Sequence, residues 1–315
     1  MYNVTNYKTF SNRLRDKLIS ENIISLMDDI DIEVSDINPH HYLLNVKNKN
    51  QKFIVKKVKE KEYSYFITEY LQKINRDLGT MKFPLTLIPP FSIAEHTYVI
   101  CTYLDGKALT TLIPTLSNND LQQISLKIDE NLKYIHSITS NSYFEGNSFK
   151  SQSFSEIIIK KISDQLHNKY VRNYLKNINI DKLFVSISDI LSRESYSQPI
   201  LLHMDINPGN IILSPSGDVH IIDFELARFG ELEYGWVNLL SKTLHHYDMR
   251  YKQCILYPIL EKNFMLLDKA MKKDKYKIYM LYHSVNMYIY CSKFERKCPK
   301  EILELIDFIL EEFTV

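Results

Sequence analysis

The chain has 315 residues, 45% of them hydrophobic, enough to fill two packed cores. Lysine and arginine number 39 against 38 acidic residues, a net charge of +1 with the signs interspersed, so neither nucleic acid nor a membrane is an expected partner. No apolar run approaches membrane-spanning length, Met1 to Asp16 is too polar for a secretory signal, and Cys101, Cys254, Cys291 and Cys298 lack metal-ligand pairing, which points to reduced thiols in a cytoplasmic protein.

Residues 1 to 30 read as a helical lead-in, with Phe10, Leu14, Leu18 and Ile24 near helical spacing. Three β-like runs follow, Asp31 to Val34, His41 to Val46 and Lys52 to Val58, the last two joined by a polar turn at Lys47 to Gln51. Glu60 to Ile74 then reads as a helix, with Tyr63, Phe66, Ile67, Tyr70, Leu71 and Ile74 on one face. Further strands are expected at Leu87 to Ile93 and Thr97 to Tyr103, and from Asn118 onward the pattern is mainly helical. Late in the chain Tyr276, Met280, His283 and Met287 recur at near-helical spacing, a core stripe by preference over a ligand box.

One interruption of the helical region carries chemistry. Residues 201 to 225 read as an apolar run, a polar loop with His203, Asp205 and Asn210, a short strand, a turn at Ser214 to Asp218, and a second strand ending in Asp223-Phe224-Glu225. Asp205 and Asn210 sit on one loop, turned by Pro208 and Gly209, so both can face a cleft. The strand pair Ile211 to Leu213 and Val219 to Ile222 returns Asp223 to the level of Asn210. The arrangement suits transfer of a nucleotide γ-phosphoryl group: Asp205 accepts the acceptor's proton, while Asn210 and Asp223 offer the hard oxygens that Mg2+ prefers. A polar loop between buried strands, with Asp223 as a cap, is the bland alternative.

The segment resembles the motif of the aminoglycoside phosphotransferase and choline kinase superfamily, which shares the protein kinase fold. That motif runs His-Gly-Asp, then Pro and Asn, then an Ile-Asp-aromatic-Glu strand end and a later Gly. Here it is met by His203, Asp205, Pro208, Asn210, Ile222, Asp223, Glu225 and Gly230. Met204 replaces the usual Gly, Asn207 the frequent His, and Gly235 stands where the family often has an Asp.

The resemblance implies an α+β, bilobal protein-kinase-like fold. A small β-rich nucleotide lobe would span residues 1–104, and a larger helical lobe with catalytic and acceptor sites residues 105–315, the nucleotide lying between them. It also implies ATP or GTP with Mg2+ as cofactors. Phe53-Ile54-Val55-Lys56 resembles the strand whose lysine touches phosphates; Lys57 points to the opposite face, so only one of the two reaches the cleft. Glu69 is the glutamate placed to pair with that lysine, with Glu62 as runner-up and a solvated helix glutamate as the plain alternative. Thr97 to Gly106 resembles the hinge strand, so the Thr102 carbonyl and Leu104 amide would meet the adenine edge. Ordinary strand and turn residues explain the same letters.

Two departures bear on the substrate. Gly79 is the first glycine, so the phosphate-covering turn, expected over Ser35 to His41, cannot be glycine-rich. No Ala-Pro-Glu box follows Asp223, which removes the platform of a peptide kinase. A small-molecule acceptor follows, with Glu225, Glu231, Glu233 and Trp236 as candidate contacts suited to an amine-bearing ligand. A solvated acidic turn and a buried tryptophan account for them equally well. His136 and His203 are read as structural, and Asp248 and Arg250 stay undistinguished from surface residues. The expectation is an O-phosphotransferase acting on a hydroxyl, with an antibiotic as leading acceptor. A choline-, amine- or sugar-type metabolite is the alternative, and a nucleotide-binding pseudokinase the reading from another class.

Overall fold

The computed structural model describes residues 4–34, 41–58, 67–145, 148–150, 153–193, 197–244, 248–265 and 267–314. It divides into two compact units: residues 1–107 with 211–226, and residues 108–210 with 227–315. The first break falls three residues after the expected one. The hairpin carrying Asp223, expected in the C-terminal lobe, groups with the N-terminal unit.

In the first unit, β1 (Ile30–Val34), β2 (His41–Val46), β3 (Gln51–Val58), β4 (Phe91–Ile93) and β5 (His96–Thr102) form a sheet ordered β1-β2-β3-β5-β4. All its pairings are antiparallel, and Lys56 lies opposite His41 on one side and Val99 on the other. The helix Val4–Ser20 supplies Leu14 and Leu18, both fully buried, to a core with Leu44, Val55 and Ile100. Alternation along β3 puts Val55 in that core, so Lys56 projects from the opposite face and Lys57 does not.

The strand expected over Leu87 to Ile93 keeps only its last three residues. Pro89 and Pro90 lack the N–H groups a ladder needs. The expected helix at Glu60 to Ile74 is described as Ile67–Leu78, residues 59–66 lying outside the described set, and Ile67, Leu71 and Ile74 are buried on its inner face. The proposed phosphate-covering turn falls mostly on residues 35–40, also outside that set.

A second sheet, β11-β10-β6, is built from β6 (Lys107–Ala108), β10 (Ile211–Leu213) and β11 (Val219–Ile221). Ile211 pairs with Ile221 and Leu213 with Val219, closing the hairpin predicted from the Ser214 to Asp218 turn. Gly106 has φ +150° and lies against this hairpin: a Cβ there would meet the Leu213 carbonyl oxygen at 2.5 Å.

The second unit is helical. Its main helices are Asn118–His136, Phe154–Leu166, Ile180–Ser192, Leu232–Lys242, Asp274–Lys293 and Lys300–Thr314. Ser117 with Asp120, and Ser153 with Glu156, form reciprocal capping boxes at two helix starts. Small two-stranded sheets pair β7 (Tyr143–Glu145) with β8 (Ser148–Lys150) and β9 (Ile200–Leu202) with β12 (Arg228–Gly230). Of the stripe on the Asp274–Lys293 helix, Tyr276 and Met280 are buried while His283 and Met287 are half-buried. Beside it Tyr234 and Tyr279 are buried, with ring centroids 5.2 Å apart and edge to face.

Candidate active site

The loop between β9 and β10 is built around one carboxylate. Asp205 Oδ2 accepts from Asn207 Nδ2 at 3.0 Å and Asn210 Nδ2 at 2.8 Å, while Oδ1 accepts from Lys242 Nζ at 2.5 Å. Asn207 works in two directions, because its Oδ1 also accepts the amides of Gly209 and Asn210 and so holds the turn at Pro208–Asn210. His203 is buried, and its Nδ1 accepts the Asp205 amide at 3.2 Å, the bracing role expected from sequence.

Met204, in the position of the family's glycine, has φ +66°, a left-handed conformation unusual for a bulky residue. Asn238 Nδ2 donates to its carbonyl at 2.8 Å and holds the strained backbone in place. Gly235 packs closely: a Cβ there would come within 2.7 Å of Leu202 Cδ2, so any larger residue requires the Leu202 side chain to shift.

Burial by itself raises the Asp205 pKa. The Lys242 ammonium outweighs it, with His203 and Asn207 adding to the effect, and the carboxyl stays below its ordinary value. Asp205 is therefore an ionised carboxylate held by donors from Asn207, Asn210 and Lys242.

In the first unit, Lys56 Nζ lies 3.2 Å from Asp223 Oδ1, with the lysine side chain 11% exposed. Burial pulls the Lys56 pKa down, but Asp223, Cys101 and Glu225 more than reverse this, so the group stays charged. Asp223 itself has φ +69°, a conformation that aspartate tolerates better than most residues.

Several expectations need correction. Glu69 is exposed, and the described partner of Lys56 is Asp223 in its place; Glu62 lies outside the described residues. Glu231 is not an acceptor contact: it is 2% exposed and its carboxylate accepts from Tyr279 Oη and Lys275 Nζ, each at 2.8 Å. Trp236 is likewise buried, perpendicular to the His136 ring with centroids 5.1 Å apart, which leaves it little surface for a ligand. Glu225 and Glu233 are half-buried and keep their candidacy. The Thr102 amide donates to the Leu85 carbonyl at 2.9 Å, so any hinge contact of this residue falls to its carbonyl. Arg250 is structural, donating to the carbonyls of Ile113 and Leu116, while Asp248 caps the short helix Met249–Tyr251.

Each of the two expected magnesium ligands, taken by itself, keeps a hard oxygen for the ion. Asn210 spends its Nδ2 on Asp205 and keeps Oδ1, and Asp223 has a second carboxylate oxygen beside the one facing Lys56. Among the described residues no three or more His, Cys, Asp or Glu side chains gather into a metal-binding group.

The family model of the APH phosphotransferases, described as the phosphotransferase enzyme family, matches residues 36–250, more than half of the chain. The chain belongs to this family. Aminoglycoside phosphotransferase APH(4)-Ia shares the fold of this family member at a TM-score of 0.64 and 14% identity, covering 96% of this chain and 98% of that one. Choline kinase LicA from Streptococcus pneumoniae is similar at 0.53 and 15%, covering 96% and 98%. Thermostable mutants of the first have been solved with AMP-PNP or ADP and hygromycin B, and LicA with AMP. No curated protein matches the chain in sequence. These likenesses establish the protein-kinase-like fold, and family membership makes the protein a kinase-type phosphotransferase. Among the described residues no helix is long and apolar enough to cross a membrane.

Sequence reading missed Lys242. It follows Asn238 by one helical turn, a spacing that puts both side chains on one face, but nothing in the letters says which face meets the loop.

Proposed function

We propose that the protein transfers the γ-phosphoryl group of ATP or GTP to a hydroxyl of a small molecule, with Asp205 as the base. The observation that carries this reading is the Asp205 carboxylate, ionised and held by Asn207, Asn210 and Lys242 on a loop braced by His203. As the acceptor oxygen bonds to phosphorus, its proton passes to Asp205, and the bond from phosphorus to the bridging oxygen breaks to leave a nucleoside diphosphate. Lys56 contributes a fixed positive charge toward the phosphates, and the Thr102 carbonyl with the Leu104 amide takes the adenine edge. Asn210 and Asp223 would hold magnesium, which, when bound, neutralises charge on the phosphates. Catalysis of this kind rests on position and charge, and the loop supplies both.

The acceptor is a small molecule because no peptide platform follows Asp223. Glu225 and Glu233 remain to receive an amine-bearing acceptor such as an antibiotic, and metabolites of choline or sugar type share that chemistry. A nucleotide-consumption assay over aminoglycosides, peptide antibiotics, choline-like amines and sugars tests the reading. Acceptor-dependent formation of nucleoside diphosphate and a phosphorylated product is the expected result. Nucleotide binding without consumption across the panel would favour a pseudokinase.

A further inference from the structure

We propose that Lys242 is a positioning residue for phosphoryl transfer, holding Asp205 by its Oδ1 so that one lone pair of that oxygen faces the acceptor hydroxyl. The inference rests on the reading of Asp205 as the base.

An ionised carboxylate has about four acceptor positions. Oδ2 receives two carboxamide donors, from Asn207 and Asn210, and is saturated. Oδ1 receives Lys242 and has one position left, which makes Oδ1 the atom that takes the proton. Lys242 and the acceptor therefore share one oxygen, and the lysine fixes the direction in which its remaining lone pair points.

The placement of Lys242 is not explained by its helix alone. A lysine in the last turn of the Leu232–Lys242 helix already faces favourable carbonyls and can extend into water. Here the side chain is only 12% exposed and is committed to a carboxylate that is 31% exposed. Withdrawing an ammonium from water is unfavourable unless its partner is well placed. One turn earlier, Asn238 holds the carbonyl of Met204, so a single helix face grips the loop at two consecutive residues. Asn238 fixes the left-handed backbone at Met204, and Lys242 fixes the side chain that this backbone presents.

The test compares Lys242→Met, which keeps the stem and removes the charge, with Lys242→Arg, each alone and with Asp205→Asn. ADP formation from magnesium–ATP is followed with water, hygromycin B and choline offered as acceptors, and AMP-PNP binding is followed by calorimetry. With the acceptor giving the fastest wild-type rate, Lys242→Met should lower turnover by about 30-fold or more, while the AMP-PNP Kd stays within about threefold. Lys242→Arg should recover at least about a third of the wild-type rate. In the Asp205→Asn background, removing Lys242 should change the rate by less than about threefold, because it acts through that carboxylate.

Turnover of Lys242→Met near that of the wild type, or the same fold-loss in the Asp205→Asn background, would overturn the inference while leaving Asp205 as the base. Loss of AMP-PNP binding in Lys242→Met would assign the lysine to nucleotide and overturn it also. A wild type that forms no ADP with any of the three acceptors, or an Asp205→Asn variant of undiminished activity, would overturn the base assignment and the inference together.

Discussion

Lys56 Nζ and Asp223 Oδ1 stand 3.2 Å apart, a half-shielded ion pair within the β-rich unit. The lysine is largely withdrawn from water, and Asp223 is the strongest of the influences keeping it protonated. A carboxylate carries the charge that magnesium requires, whereas the carboxamide of Asn210 contributes a dipole. Asp223→Ala is therefore expected to abolish magnesium-dependent nucleotide binding, and Asn210→Ala to weaken it less. Calorimetric titration of AMP-PNP with and without magnesium checks both. Equal magnesium dependence in the wild type and Asp223→Ala would remove Asp223 from the ligand set.

His136 predicts a pH dependence of stability. Withdrawal of its ring from water, only partly countered by Asp129, lowers its pKa from 6.5 to about 4. The unfolded chain thus takes up a proton before the folded chain does, so this contribution is complete above pH 6.5 and is lost as pH falls toward about 4. Roughly 3 kcal/mol over the whole range is the expected scale. His136→Phe keeps an aromatic ring beside Trp236 and has nothing to titrate. Its loss of stability between pH 7 and pH 5, measured by denaturant unfolding, should be smaller than that of the wild type.

Gly106 tests the junction with the Asp223 hairpin. An added methyl would sit 2.5 Å from the Leu213 carbonyl oxygen and 2.7 Å from Ile212 Cγ2, and backbone cannot yield as a side chain can. Gly106→Ala is expected to destabilise the fold by about 2 kcal/mol or more. A melting temperature equal to that of the wild type would show that the hairpin shifts freely.

Much of the site could be read from residue order because its chemistry is local. Asp205, Asn207 and Asn210 lie within six positions, and a turn forced by Pro208 and Gly209 brings their side chains together whatever the rest of the chain does. The sheet was legible for the same reason, since β2 and β3 are joined by a short polar turn. What escaped depends on burial and on distant contacts. Glu231 looks like a solvent-facing acid until Lys275 and Tyr279, from a helix more than forty residues on, are seen to take it up. Glu69 has the right spacing for Lys56 and the wrong exposure. Lys242 reaches Asp205 across 37 positions, a distance at which helical periodicity carries no information about the partner.

The central claim is that Asp205 meets the acceptor hydroxyl and not the nucleotide. Asp205→Asn keeps the shape of the side chain and removes its capacity to take a proton. The most direct measurement is turnover of this variant, by nucleoside diphosphate formation with the best acceptor of the panel, set beside its affinity for magnesium–AMP-PNP. A fall in turnover of about a thousandfold or more, with affinity for the nucleotide nearly intact, is the predicted result. Turnover close to that of the wild type would contradict the account.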